Sequence, residues 1–340
     1  MKCSTVRVLM LMVSIQSGHV SLSIIPSRWP ATQYGGMEGV VSSPIRLARE
    51  VNETVDPEDQ TEKILYAKSN QYPFMVGIFT FREEFHRFAC GGSLISSNKI
   101  LTAAHCVTYN NTKISMELVR LKVKLGMHFL NSTSDDAELT VDVRHIKIHE
   151  YYNPKNRLNN IAILTLGADI ETTKTISTVC LMPDGYYDYK DMFITMGWIT
   201  TPSQWNNTDR LWHSMLMPWP YSFWKDEYLS LGFKLTDRMF YASWNGEFGC
   251  RHDDGSPMIV SYGNVAASNF LSGCRYMQVG IASIARGCFK PKLPGVYTSV
   301  EKFMPWIREN APDVIAASLP IRGIETSSET DVTIDPEFLI

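Results

Sequence analysis

An all-β fold with one short helix near its end is what the sequence predicts, and two observations predict it. The first is a succession of short apolar stretches from Tyr72 onward, separated by turn signals, as in a β-sandwich or barrel. The second is a single change of period: Val300, Phe303, Met304 and Ile307 fall on one helical face, so a helix closes the domain.

The elements follow in chain order. Residues 1–7 carry the basic Lys2 and Arg7, residues 8–15 are apolar, and the small residues Ser17, Gly18 and Ser21 follow. This is the layout of a secretory signal peptide over residues 1–21, with an apolar run far shorter than the roughly 20 residues that span a bilayer. Residues 22–63 hold scattered Pro and Gly and then the polar, acidic stretch 50–60, and are expected to form a flexible pro-segment-like leader. Strands are expected at residues 74–80, 92–95, 119–123, 139–143 and 160–164, and the closing helix at 300–308. The tail 313–340 turns Ser-, Thr- and acid-rich and is expected to be disordered. No later segment is long and apolar enough to span a membrane.

Composition bounds the function. The 340 residues, 44% hydrophobic and 20% charged, suffice for one substantial domain or two modest ones with a sizeable core. A net charge of -3 without long Lys or Arg runs offers no electrostatic case for nucleic acid or an anionic membrane surface. Four N-x-[ST] sequons, at Asn52, Asn110, Asn131 and Asn206, fit a secreted, extracellular glycoprotein. Of the 7 cysteines, Cys3 leaves with the signal; Cys90, Cys106, Cys180, Cys250, Cys274 and Cys288 remain, an even set that implies three bridges. No cofactor is expected.

The motifs are more specific. Cys90-Gly91-Gly92-Ser93-Leu94-Ile95 is followed by Leu101-Thr102-Ala103-Ala104-His105-Cys106, then by Asn159-Asn160-Ile161-Ala162-Ile163-Leu164, and later by Gly249-Cys250-Arg251-His252-Asp253-Asp254-Gly255-Ser256-Pro257. These resemble the CGGSLI, LTAAHC, N-D-I-A-L-L and C-x-G-D-S-G-G-P patterns of the trypsin-like (chymotrypsin-fold, S1-type) serine proteases. Gly197-Trp198 and Pro294-Gly295-Val296-Tyr297-Thr298 extend the resemblance, which covers about residues 64–312. It implies two six-stranded antiparallel β-barrels with a C-terminal helix. It also implies bridges Cys90–Cys106 and Cys250–Cys288; Phe193, Val260 and Tyr241 stand where the family carries further cysteines. Cys180 and Cys274 either join each other or one of them links to another chain.

The same alignment of motifs places His105 at the general-base position, but Asn160 at the position of the orienting aspartate and Asp254 at that of the nucleophilic serine. A carboxylate attacking a peptide carbonyl would form an anhydride less stable than the amide, so Asp254 is no substitute for a hydroxyl. Loss of the orienting acid alone costs about 10⁴ in kcat in trypsin. The oxyanion glycine is replaced by His252, the following glycine by Ser256, and the acidic residue at the base of the S1 pocket by Phe248. Ser283-Ile284-Ala285 stands for the S-W-G edge that pairs with substrate. Asp253 matches the aspartate that receives a new N-terminus after activation, and Lys63-Ile64 lies where activation cleavage would fall; without the two hinge glycines, an uncleaved junction is expected.

The resemblance therefore implies a secreted pseudoprotease, not an enzyme, that acts by binding. Its expected partner is an extracellular protein such as a protease, a protease substrate or an inhibitor. Its expected role is cofactor, decoy or regulator in an extracellular protease network or a reproductive fluid. The alternative is a hydrolase in which His105 and Asp254 activate water, or hold a metal together with His252; an ion pair between His105 and Asp254 is the more economical outcome.

Overall fold

The computed structural model describes residues 9–16, 19–26, 65–82, 85–109, 112–130, 139–184, 192–198, 210–220, 222, 224–243, 254–261, 274–284 and 293–314. The chain divides into two units, residues 1–61 and 62–340. In the first, β1 (Leu9–Gln16) pairs antiparallel with β2 (His19–Pro26). The apolar run read as the core of a signal peptide is thus a strand. Its partner begins within the expected signal segment and runs into the expected leader, alternating Val20, Leu22 and Ile24 with Ser21 and Ser23, the period of a strand.

The second unit opens on β3 (Leu65–Tyr66) and continues into a closed barrel. Its strands are β4 (Met75–Arg82), β5 (Phe85–Leu94), β6 (Lys99–Thr102), β7 (Leu121–Leu125), β8 (Leu139–Ile148) and β9 (Ala162–Leu166). The order is β4-β5-β6-β9-β8-β7, closed by β7 on β4 with Val76 opposite Leu125 and Thr80 opposite Leu121. Along β7, Leu121, Val123 and Leu125 are buried while Lys122 and Lys124 stay half-exposed, so one face meets the core and the other meets water. Residues 119 and 120, expected to begin this strand, belong instead to a 3₁₀ turn over Leu118–Arg120; Leu118 and Val119 are exposed and have no core to hold them extended.

The remaining strands are β10 (Cys180–Leu181), β11 (Phe193–Gly197), β12 (Trp212–Pro220), β13 (Met239–Ser243), β14 (Pro257–Ser261), β15 (Tyr276–Ile284) and β16 (Gly295–Ser299). The path β15-β14-β11-β12-β13-β16 closes by pairing β16 back onto β15, giving a second six-stranded antiparallel barrel. β10 adds parallel to β15, and β3 pairs with β12. Every residue of β13, β15 and β16 is buried.

Among the described residues, two α-helices flank the barrels, α1 (Lys225–Ser230) and α2 (Met304–Asn310). Pro305 sits in the first turn of α2, where a missing N–H costs nothing. The helix buries Met304, Trp306 and Ile307, and the Trp306 indole donates to Glu150 Oε2 at 3.0 Å. Lys147, 2.5 Å from the other Glu150 oxygen, holds that carboxyl down to about 2.

The bridge Cys90–Cys106 is present, and Cys180 is joined to Cys274 within the chain. Cys250, Cys288 and all four sequon asparagines lie outside the described residues, as do residues 27–63 and 315–340. Where the family pattern led to cysteines at Phe193 and Val260, both side chains are buried in one apolar cluster. Tyr241 finds its neighbour in Tyr228, stacked at 5.4 Å between ring centroids and 29° between planes.

Candidate functional site

Three elements converge on His105. β6 carries the chain inward to a 3₁₀ turn, Ala104–Val107, and the Cys90–Cys106 bridge pins that turn to β5. Asn160 precedes β9 at the end of a turn in which Arg157 and Asn159 hold φ of 58° and 52°. Side chains brace that turn: Asn159 Nδ2 donates to the Tyr151 carbonyl at 2.8 Å, and Arg238 Nη1 donates to Asn159 Oδ1 at 3.0 Å. The third element is the segment Asp254-Gly255-Ser256 that leads into β14.

That segment is clamped from both barrels. Gly91 N–H donates to the Asp254 carbonyl, Gly255 N–H to the Ala282 carbonyl, and Ala282 N–H to the Ser256 carbonyl, each at 2.9 Å. Gly255 has φ +80°, and a Cβ there would lie 2.3 Å from Thr102 Oγ1 and 2.7 Å from the Gly91 carbonyl. A Cβ on Gly91 would meet Ser256 Oγ at 1.9 Å, so both glycines are needed for the backbones to approach this closely. Ser256, the hydroxyl nearest in sequence to position 254, is fully buried and faces Gly91.

At the centre, His105 Nε2 lies 2.9 Å from Asp254 Oδ2; the histidine side chain is 11% exposed and the aspartate 43%. On the other side of the ring stands the fully buried Asn160. Its Oδ1 accepts from the His105 backbone N–H at 3.0 Å, and its Nδ2 donates to Ser283 Oγ at 2.7 Å. His105 Nδ1 is 2.9 Å from Asn160 Nδ2 and 3.2 Å from Asn160 Oδ1. Thr298 Oγ1 donates to the Asn160 carbonyl at 3.2 Å. The structure therefore brings His105, Asn160 and Asp254 together across the two barrels. His252, Asp253, Phe248, Lys63 and Ala285 lie outside the described residues. Ser283, read from sequence only as part of a substrate-pairing edge, is also the anchor of Asn160; a lone serine directly before the position of a missing aromatic gives no local sign of that role.

This geometry, on this pair of barrels, has named relatives. The family described as Trypsin matches residues 65–307. The chain belongs to the trypsin family. It is similar to the proclotting enzyme of Tachypleus tridentatus, 31% identical over 247 residues that make up 70% of this chain and 63% of the relative. Trypsin alpha-4 of Lucilia cuprina is 29% identical over 66% of this chain and 79% of its own length, and chymotrypsin-C of Mus musculus 28% identical over 72% and 85%. The chain thus spans less than two thirds of the proclotting enzyme's length.

Family membership corrects one expectation, that this chain is not an enzyme. The relatives carry the names of enzymes. The positions on which half of that expectation rested, His252 and Phe248, are not among the described residues. Asn160, moreover, keeps a hydrogen bond to the histidine backbone, so losing the carboxylate has not cost the histidine its anchor.

What the described centre offers is a carboxylate and an imidazole in direct contact. The half-exposed Asp254 meets water on its outer side. The sulfurs of Cys90 and Cys106 lie within 4.8 Å of a His105 nitrogen, but a disulfide supplies no thiolate, so that cluster does not form a metal centre. No described helix is long and apolar enough to cross a membrane.

Proposed function

We propose that this trypsin-family chain is a secreted, protein-binding member of an extracellular protease network, with a protease, a protease substrate or an inhibitor as its partner. The observation that carries the reading is the His105–Asp254 contact of 2.9 Å, which couples the histidine to a carboxylate where the family pattern has an attacking hydroxyl. Around it the two barrels remain closed, a rigid scaffold of the kind whose connecting loops carry recognition. Similarity to a proclotting enzyme and to CLIP domain-containing serine protease B4 of Anopheles gambiae supports a place in such a network. Secretion is supported by the basic and apolar start of the chain and by the sequons at Asn52, Asn110, Asn131 and Asn206.

The test is capture on the tagged protein from extracellular fluid of its source organism, with mass spectrometry of what elutes. A stoichiometric partner that remains bound to the Asp254→Asn variant supports the binding reading; recovery of no protein overturns it. A second reading, hydrolysis by water activated on Asp254 and His105, is favoured by the exposure of Asp254. Turnover of a peptide library, with or without added zinc, that Asp254→Asn abolishes assigns that activity.

A further inference from the structure

We infer that Asn160 and Asp254 are a matched pair that fixes the proton of His105 on Nε2, with Ser283 as the positioning residue behind Asn160. The orientation of the Asn160 amide follows from its two outer contacts. The His105 backbone N–H is a donor and nothing else, so the amide atom 3.0 Å from it is the carbonyl oxygen. The amide nitrogen then faces Ser283 Oγ at 2.7 Å. Turning the amide over would set its NH₂ against the backbone N–H, two donors with no acceptor between them.

With the orientation fixed, the second hydrogen of Nδ2 is directed at His105 Nδ1, 2.9 Å away, and the amide oxygen is the more distant atom at 3.2 Å. Nδ1 accepts that hydrogen only with a free lone pair. In a neutral imidazole the ring proton therefore sits on Nε2, where Asp254 Oδ2 accepts it at 2.9 Å. A carboxylate at position 160 would demand the opposite: it accepts from Nδ1–H and leaves a lone pair on Nε2, which would face the Asp254 carboxylate with no hydrogen between them.

The two replacements thus depend on each other. Asn160 makes His105 a donor at Nε2, and Asp254 is the acceptor that such a donor needs. This goes beyond the binding reading, because it concerns where one proton resides and holds whichever partner is captured.

Nitrogen-15 NMR of the full-length protein tests it, with long-range proton–nitrogen correlations of the imidazoles and His105 assigned by the peaks lost in His105→Gln. Once the pH is raised until the His105 signals no longer change, the wild type is expected to show Nδ1 as the unprotonated nitrogen and Nε2 as the protonated one. In Asn160→Asp, with a carboxylate on each side, both nitrogens are expected to carry protons. In the Asn160→Asp, Asp254→Ser double variant, the single proton is expected on Nδ1. A wild-type spectrum with Nδ1 protonated, alone or together with Nε2, overturns the inference, and that spectrum reads out even if a variant fails to fold. An Asn160→Asp spectrum identical to wild type overturns it as well.

Discussion

The sharpest contrast in burial lies between β7 and β8 of the first barrel and β13, β15 and β16 of the second. In the first, β7 alternates buried Leu121, Val123 and Leu125 with half-exposed lysines, and β8 alternates likewise around Val141 and Val143. In the second, β13, β15 and β16 have no wet face at all. The first barrel is held in part by a short covalent link, Cys90–Cys106, close to the site. The second relies at the corresponding places on packing: Phe193 with Val260, Phe193 edge-on to Phe240 at 5.6 Å, and Tyr228 stacked on Tyr241. A sheet covered on both sides can replace a bridge by apolar contact, because every side chain it adds is removed from water, at about 1.5–3 kcal/mol for a large one. The site spans the seam, with His105 and Asn160 from the first barrel and Asp254 and Ser283 from the second.

That contrast can be broken or sharpened by four measurements. The largest effect is expected from the bridges. Cys180→Ser with Cys274→Ser opens a loop of sequence separation 94, and should cost about 4–5 kcal/mol in urea unfolding, against about 3 kcal/mol for the Cys90, Cys106 pair of separation 16. Equal losses would show that loop length is not what these links contribute.

Next, Phe193→Ala should destabilise by about 4 kcal/mol, because a large ring is removed from a site that no bridge secures. A loss under about 1 kcal/mol would mean that the second barrel does not depend on this packing.

Third, the second barrel should lose stability in mild acid. His213 on β12 is 4% exposed, with Nδ1 3.0 Å from the Tyr72 hydroxyl, and burial holds its pKa down to about 4. The unfolded chain takes up that proton first, near pH 6.5. The contribution of neutral His213 is therefore full above about pH 6.5, falls as the pH drops, and is exhausted near pH 4, a total of about 3 kcal/mol. His213→Gln should flatten the stability profile across that window; an unchanged slope would assign the acid sensitivity elsewhere.

The smallest effect carries the opposite sign. The Tyr241 hydroxyl is buried and has no protein partner among the described residues, so Tyr241→Phe should keep the stack on Tyr228 and raise stability by about 1 kcal/mol. A thermal midpoint lower than wild type would show that the hydroxyl is satisfied in solution.

All five strands anticipated by pattern belong to the first barrel. Residues 121–123 and 139–143 lie where core and water alternate along the chain, whereas 74–80, 92–95 and 160–164 are buried throughout and stood out as short apolar runs between turn signals. The strands of the second barrel, of which β11, β13, β15 and β16 are buried on both faces, were reached only through family motifs such as Gly197-Trp198 and Pro294-Gly295-Val296-Tyr297-Thr298. The pairing of Cys180 with Cys274 and the stacking of Tyr228 on Tyr241 had no local signal, because each joins segments brought together only by barrel closure.

By itself the sequence determined that the chain is mostly strand, that it belongs with the trypsin-like proteins, and that positions 105, 160 and 254 carry His, Asn and Asp. Those follow from local pattern and from residue identity, which need no neighbours. Tertiary structure alone decided that Asp254 reaches the outer nitrogen of His105, that the Asn160 amide turns its nitrogen toward the inner one, and that Ser283 fixes that turn. The physical reason is that a hydrogen bond is set by distance and direction, and these atoms acquire both only when two separately closed barrels are packed against each other.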